Sequence, residues 1–336
     1  MKHRKKHRRS LTALGKGLVI GVCAAAVAAG VGLAVRARRS AEAVAGTAEA
    51  AGQTSAEQAP AEEPPALLQV ATGAKSVYVL DTEKGWALLD ENGGELSAPA
   101  STTKLLTALT ALDICSPNQM VTVGDEVKWV EKDSSRAYLS SGDTLSMKEL
   151  LTAMLLPSGN DAAMAVAVYS GRCLERNKDL PATQAIAAFV EAMNRKAVAL
   201  GAADSRFLRP DGYDTDGQTT TAHDLACIGA ACLKNETIAA ITGSAKKIVT
   251  WKNGKQVTYE NTNLLLDPQS VYYDQRALGL KTGSSTAAGY CLVSAAKIGE
   301  KTVVCVILGD TENGRFTDTK NVFQAIENSE GETLGG

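Results

Sequence analysis

Apolar residues follow strand-like patterns near both ends of this chain's foldable region and recur with helical period between them. SVYVLD (76–81) and WALLD (86–90), separated by a short turn, read as a first β-hairpin. From about 115 to 245, LSMKELLTAMLL, DAAMAVAVYS, AIAAFVEAMNRKAVAL and TAHDLACIGAACL each carry an apolar face of helical period. After Gly243 the pattern returns to strands: KKIVTWK, QVTYENT, LGLKTG, YCLVSAAKI and TVVCVILGD. A last helix, FTDTKNVFQAIEN, follows. Strands at both ends predict one sheet assembled from both ends, with a helical lobe inserted in the middle. No internal repeat is visible.

The first 66 residues have a different character. KHRKKHRR (2–9) makes residues 1–16 a basic leader, and an apolar run, GLVIGVCAAAVAAGVGLAV, fills 17–35. As a helix the run would be about 28 Å long, close to the hydrocarbon thickness of a bilayer. A basic start before an apolar run is the export pattern, so the leader is expected in the cytoplasm and the rest of the chain outside. Ala43-Val44-Ala45 offers a cleavage site, whereas Arg36, Arg38 and Arg39 straight after the run favour an uncleaved anchor. Cys23 follows the bulky Val22, which argues against a lipoprotein site. Residues 36–66, rich in Ala, Glu, Gln, Ser and Pro, read as a flexible linker. The folded domain is expected over 67–329, with 330–336 as a tail.

A net charge of −2 gives no reason to expect a nucleic-acid partner. Six cysteines lie beyond the apolar run: Cys115, Cys173, Cys227, Cys232, Cys291 and Cys305. Their spacing fits no zinc site. Cys227 and Cys232 share a predicted helix and should not bond each other. Cys291 and Cys305, on neighbouring predicted strands, leave a disulfide open as one alternative, and free, buried thiols are the favoured state.

Histidine supply limits the chemistry. Of the three histidines, His3 and His7 belong to the leader, which leaves His223 in TTTAHDLA. There Thr220 or Thr221 is positioned to cap a helix, and His223 reads as a solvated helix residue. A histidine-rich metal site is excluded, and no cofactor is implied. A Ser-His-Asp triad would have to rest on His223 alone, so lysine is the better candidate for the base of a serine nucleophile.

PASTTKLLTALTAL supplies such a pair. Ser101 and Lys104 stand one helical turn apart on a shared face, and the helix N-terminus favours negative charge on Ser101. To act as a base Lys104 must be neutral, which requires burial or neighbouring cations. Alone the pair could equally be a helix start, with Ser101 capping and Lys104 solvated. LLPSGNDAA adds Ser158 and Asn160 at another helix start, where capping is again the plainer role. LGLKTGSSTAAGY adds Lys281, Thr282 and Gly283 at a strand end, a good place for a substrate carboxylate.

In this order S-x-x-K, S-x-N and K-T-G form the set shared by β-lactamases and penicillin-binding proteins. With FVEAMNRKAVALGA, TTTAHDLA, NTNLLL, GLKTGSSTAAGYCLVSAA and the closing LGD with Arg315, the chain resembles the D-alanyl-D-alanine carboxypeptidases, the low-molecular-mass penicillin-binding proteins, over about residues 70 to 325. The resemblance implies an α/β (α+β) fold of the β-lactamase/transpeptidase type: an antiparallel sheet flanked by helices, with an inserted all-helical lobe. It implies an acyl-enzyme on Ser101, with Lys104 accepting the serine proton and Ser158 relaying one to the departing D-alanine. Asn160 would hold the substrate backbone and steady Lys104. Lys281, Thr282 and Arg315 would hold the terminal carboxylate of a peptidoglycan stem peptide. The backbone N–H groups of Ser101 and Ser284 would form an oxyanion hole. β-Lactams would be covalent inhibitors, and the N-terminal segment would tie the enzyme to a bacterial membrane.

Two departures stand out. Ser284 and Ser285 follow K-T-G where the family often has a histidine or aromatic residue and then threonine, and GRCLERNKDLPATQAIA (171–187) is longer than the usual connection. A class A β-lactamase would also need a glutamate in an E-x-x-L-N pattern, and Glu191-Ala192-Met193-Asn194 is one residue too short. A D,D-transpeptidase and a non-catalytic peptidoglycan-binding protein are the remaining alternatives.

Overall fold

The computed structural model describes residues 63–335. The leader, the apolar run at 17–35 and nearly all of the linker lie outside these residues. β1 (Ser76–Asp81) and β2 (Ala87–Glu91) form the expected hairpin, and β1 pairs antiparallel with β9 (Lys301–Asp310). β8 (Gly289–Ile298) and β7 (Ala277–Ser285) complete an antiparallel five-stranded sheet of order β2-β1-β9-β8-β7. The two chain ends thus meet at the β1–β9 pairing.

Both faces of this sheet are covered, which is why β8 and β9 read as near-continuous apolar runs. Cys291, Val293, Ala295, Val304, Val306 and Leu308 enter the core shared with the helical lobe. Their neighbours Leu292, Ala296, Ile298, Val303, Cys305 and Ile307 pack on the other face, against Phe316, Val322, Phe323 and Ile326. Those four belong to the last helix, Gly314–Gly335, which extends beyond FTDTKNVFQAIEN at both ends.

In the lobe, α1 (Thr103–Ile114) is buried at every residue from Thr103 to Ala111 and lies between sheet and lobe. α2 (Met147–Leu155), α3 (Asn160–Leu174) and α4 (Ala182–Ala199) pack beside it, and α5 (Ala222–Lys234) lies against the sheet, followed by the short α6 (Glu236–Thr242). The last helix is α7. Ser146 and Glu149 cap α2 reciprocally: the Glu149 N–H donates to Ser146 Oγ at 3.3 Å, and the Ser146 N–H donates to Glu149 Oε2 at 2.7 Å. Ser146→Ala should lower stability by about 1 kcal/mol, read as a lower urea midpoint at unchanged slope.

The structure departs from the sequence reading in three places. The span 115–245 also contains the strands β3 (Met120–Thr122) and β4 (Thr144–Ser146) and an irregular stretch at 200–221. Three-residue strands are too short to show a period. β5 (Lys246–Thr250) and β6 (Gln256–Glu260) make a hairpin of their own rather than joining the main sheet. Finally, Cys291 pairs across to Gly283 and Cys305 to Ser294, and their side chains enter opposite faces of the sheet. All six described cysteines are free, and Cys115, Cys232, Cys291 and Cys305 are buried. The long segment at 171–187 resolves into the end of α3, a turn, and the first residues of α4; Arg172 Nε donates to the Leu180 carbonyl at 3.0 Å across that turn.

Among the described residues no single helix is long and apolar enough to cross a membrane; the bent pair α5–α6 meets the length and composition test only jointly.

Candidate active site

Pro99 ends the extended segment, and the next three residues, Ala100–Thr102, form a 3₁₀ turn before α1 begins. Thr102 Oγ1 donates to the Pro99 carbonyl at 2.6 Å and Thr103 Oγ1 to the Ala100 carbonyl at 2.9 Å, so the turn is tied to itself. Ala100 has φ of +46°, a left-handed conformation costly for a residue with a Cβ. The turn holds Ser101 half-buried at a cleft mouth and places Lys104 fully beneath it. Ser101 makes no capping bond, and Lys104 is not solvated.

Three oxygens surround Lys104 Nζ: Ser101 Oγ at 2.7 Å, Asn160 Oδ1 at 2.8 Å and the Asp211 carbonyl at 2.6 Å. An ammonium donates to all three. A neutral amine has two N–H groups and one lone pair, and the two carbonyl oxygens can only accept. They take both N–H groups, which leaves the lone pair facing the Ser101 hydroxyl. Burial lowers the Lys104 pKa to about 8, aided by the Arg209 cation and opposed by Asp211 and Asp161.

Asn160 begins α3, and its N–H donates to the Ser135 carbonyl at 2.9 Å. Next to it, the buried Asp161 carboxylate accepts from the N–H groups of Ala137 at 2.8 Å and Leu139 at 3.0 Å. The wall carrying Ser134 and Ser135 is thereby anchored to the helix that carries Asn160. Ser158 is 5% exposed, has φ of +65°, and lies two residues before Asn160; no direct hydrogen bond joins its hydroxyl to Ser101 or Lys104. Glycine at 159 fits its crowded surroundings, since a Cβ there would sit 2.7 Å from the Ala153 carbonyl.

β7, an edge strand, supplies the opposite wall. Its Gly283 lies against the nucleophile turn: a Cβ would come within 3.3 Å of the Pro99 carbonyl and 3.1 Å of Thr102 Cγ2. Lys281 is fully buried and donates to the Thr282 carbonyl at 3.0 Å and to the hydroxyls of Thr262 and Thr282, both at 3.3 Å. Burial, then Lys104 and Arg315, hold the Lys281 pKa well below its ordinary value. Arg315 donates from Nη1 to the Gly283 carbonyl at 3.2 Å, while its Nε is buried with no partner among the described residues. Ser101, Asn160 and Ser284 line one cleft of about 220 Å³, whose other walls include Ser134, Tyr213 and Asp214.

Several contributors carried no signal in the sequence reading. Asp211 acts through a backbone carbonyl, which any residue could offer. Arg209, Glu131 and Asp161 touch Lys104 only at second hand, and Thr262, in the quoted NTNLLL, had no assigned role. His223 is a solvent-facing residue of α5 behind Thr221, whose hydroxyl accepts the Asp224 N–H at 3.0 Å. Its ring packs edge-on to Tyr78 at 5.2 Å rather than near Ser101.

An S-x-x-K serine and lysine at the head of a buried helix, beside an S-x-N loop and a K-T-G edge strand, define the penicillin-recognising serine fold. Residues 58–312 match the Peptidase S11 family, D-alanyl-D-alanine carboxypeptidase, and the chain belongs to that family. It is 29% identical over 245 residues to D-alanyl-D-alanine carboxypeptidase DacF of Bacillus subtilis, covering 72% of this chain and 58% of that protein. It is 31% identical over 262 residues to DacD of Escherichia coli, covering 75% of this chain and 62% of that one. The chain thus matches only about three fifths of the length of these two relatives. The crystal structure of the Streptomyces K15 DD-transpeptidase superposes with a TM-score of 0.69 at 28% identity, over 77% of this chain and 98% of that one.

Proposed function

We propose that this chain is a serine-type D-Ala-D-Ala carboxypeptidase that removes the terminal D-alanine from peptidoglycan stem peptides through an acyl-enzyme on Ser101. The observation that carries the reading is the Lys104 environment, in which two carbonyls use both N–H groups of the neutral amine and leave its lone pair to Ser101 at 2.7 Å. Ser101 Oγ attacks the carbonyl between the two D-alanines, and its proton passes to Lys104. The backbone N–H groups of Ser101 and Ser284 stabilise the resulting oxyanion, each worth about 3 kcal/mol. As the C–N bond breaks, Ser158 relays a proton to the leaving amine. Water then attacks the ester, releasing the shortened peptide and restoring Ser101.

Lys281, Thr282 and Arg315 receive the terminal carboxylate. Burial first, and then the charges of Lys104 and Arg315, hold the Lys281 pKa low, so these three groups disfavour one another's charge. A substrate carboxylate supplies an opposite charge, so binding and charging of Lys281 reinforce each other. Arg315→Ala should raise KM for a D-Ala-D-Ala peptide about tenfold or more, with a much smaller effect for the peptide amide. Steady-state kinetics on the two substrates check this.

β-Lactams, as carboxylate-bearing acylating agents, are expected to label Ser101 and dissociate slowly. Glu191 supports a carboxypeptidase over a class A β-lactamase, because it pairs with Arg195 at 2.7 Å on the exposed face of α4 and not in the cleft. The basic leader and the apolar run at 17–35 support a membrane-held enzyme with its catalytic domain outside a bacterial cell. The test is to assay D-alanine release from a D-Ala-D-Ala peptide alongside penicillin labelling, for wild type and Ser101→Ala. D-alanine release and stable labelling by wild type alone are expected. Neither event in wild type overturns the enzyme reading, and rapid penicillin turnover without D-alanine release points to a β-lactamase.

A further inference from the structure

The Asp211 carbonyl makes the shortest of the three contacts to Lys104 Nζ, and one side chain fixes the residue that bears it. Arg209 reaches Asp211 with two prongs, Nε to Oδ1 and Nη2 to Oδ2, both at 3.0 Å. Its other edge grips Glu131, with Nη1 to Oε1 at 2.7 Å and Nη2 to Oε2 at 3.0 Å. Asp211 is fully buried, whereas the Arg209 and Glu131 side chains are 23% and 31% exposed. The same two segments are joined again where Tyr213 donates to Asp133 Oδ1 at 3.2 Å. Arg209 therefore ties the loop carrying the Asp211 carbonyl to the loop that leads into Ser134 and Ser135.

Building on the acyl-enzyme reading, we infer that Arg209 is a positioning residue for Lys104: its fork sets the Asp211 carbonyl on the amine, and its charge partly offsets that of the Asp211 carboxylate. Both actions favour the same state. The held carbonyl takes an N–H and turns the lone pair toward Ser101. A carboxylate offset in this way rewards a proton on the amine less than an unpaired one would.

The charged groups that face Lys104 are Asp211 and Arg209 from this loop, Asp161 from α3 and Lys281 from β7. Asp211 and Asp161 favour the ammonium, while Arg209 and Lys281 disfavour it. Burial works against the charge on Arg209 itself, but the hydrogen bonds it donates to Asp211 and Glu131 outweigh that and keep it cationic. Removing the Arg209 charge leaves a buried, unpaired Asp211 carboxylate beside Lys104. Lys104 should then hold its proton to higher pH. Removing the Asp211 charge while keeping its carbonyl should act in the opposite sense.

The experiment follows the rate of Ser101 acylation by a fluorescent penicillin across pH for wild type, Arg209→Met, Arg209→Lys and Asp211→Asn. Arg209→Met should move the acid limb up by about one pH unit, a tenfold slower reaction at fixed pH below it. Asp211→Asn should move the limb down. Arg209→Lys should keep most of the midpoint but lose plateau rate, because the ammonium restores charge without the fork. An NMR titration of ¹³Cε-lysine, with the Lys104 signal assigned by its absence in Lys104→Met, reads the same shifts in the folded protein without any reaction. If wild type is not acylated, the acyl-enzyme reading fails while the titration still decides the Arg209 inference. Should Arg209→Met not fold, the downward shift in Asp211→Asn remains the deciding measurement. A midpoint unchanged in Arg209→Met and Asp211→Asn, with only plateau rates reduced, overturns the inference and leaves Arg209 a purely structural clamp.

Discussion

Lys104→Met is expected to slow acylation of Ser101 by about 10³-fold while leaving the fold intact, because under the proposed mechanism the neutral Lys104 amine is the general base. Methionine has a similar length and an apolar tip, so it fills the fully buried site without a charge to solvate. It leaves the Asn160 amide and the Asp211 carbonyl without their shared donor, so a modest fall in melting temperature should accompany the kinetic loss. The wild-type profile carries the same signature. Burial brings the Lys104 pKa to about 8 against the opposing pull of Asp211 and Asp161, with a smaller push from Arg209 in the same direction as burial. The base is the neutral form, so acylation should rise with pH through about 8 and level off above it. Below that midpoint each pH unit removes about nine tenths of the remaining neutral amine. Stopped-flow labelling of the two proteins across pH measures both effects. A Lys104→Met protein that labels at the wild-type rate removes lysine from the role.

The second large effect comes from a residue with no side chain. Gly212 follows Asp211 with φ of +77°, and a Cβ there would lie 1.9 Å from the Ala100 carbonyl and 2.8 Å from Thr103 Oγ1. No rotamer change can relieve a clash between a Cβ and a backbone oxygen. Gly212→Ala must therefore push its loop off the nucleophile turn, taking the Asp211 carbonyl away from Lys104. The left-handed conformation adds further strain for alanine. We expect a stability loss of about 3 kcal/mol and an acylation rate lowered about 10²-fold, since displacements near 1 Å carry costs of that size. Urea denaturation and penicillin labelling of the same sample test the pair. Normal labelling in a destabilised Gly212→Ala protein would uncouple the loop from the base.

How far the sequence revealed this arrangement depends on where each interaction resides. The pairing of Ser101 with Lys104 was legible because helical spacing alone puts i and i+3 on one face, and scarcity of histidine made lysine the candidate base. Asn160 was legible as a polar residue at a helix start, although only the fold brings its Oδ1 to 2.8 Å from Lys104 Nζ. The sheet built from both chain ends was legible in β1, β8 and β9, whose apolar runs are long. β3 and β4 were not, since three residues carry no period. Cys291 and Cys305 lie on neighbouring strands, but Cys305 pairs with Ser294, three residues along β8 from Cys291, and that odd offset turns the two side chains to opposite faces. The third ligand of Lys104 left no trace in the sequence. A backbone carbonyl is identical at every position, and R-P-D-G reads as an ordinary turn until Arg209 is seen to grip both Asp211 and Glu131.

The most direct measurement is mass spectrometry of the folded chain after brief exposure to benzylpenicillin near pH 8, with peptide mapping of any adduct. A single adduct with the mass of one intact penicillin is expected on the peptide bearing Ser101, strong in wild type and absent from Ser101→Ala. An adduct on another residue, or one that persists undiminished in Ser101→Ala, would contradict the account.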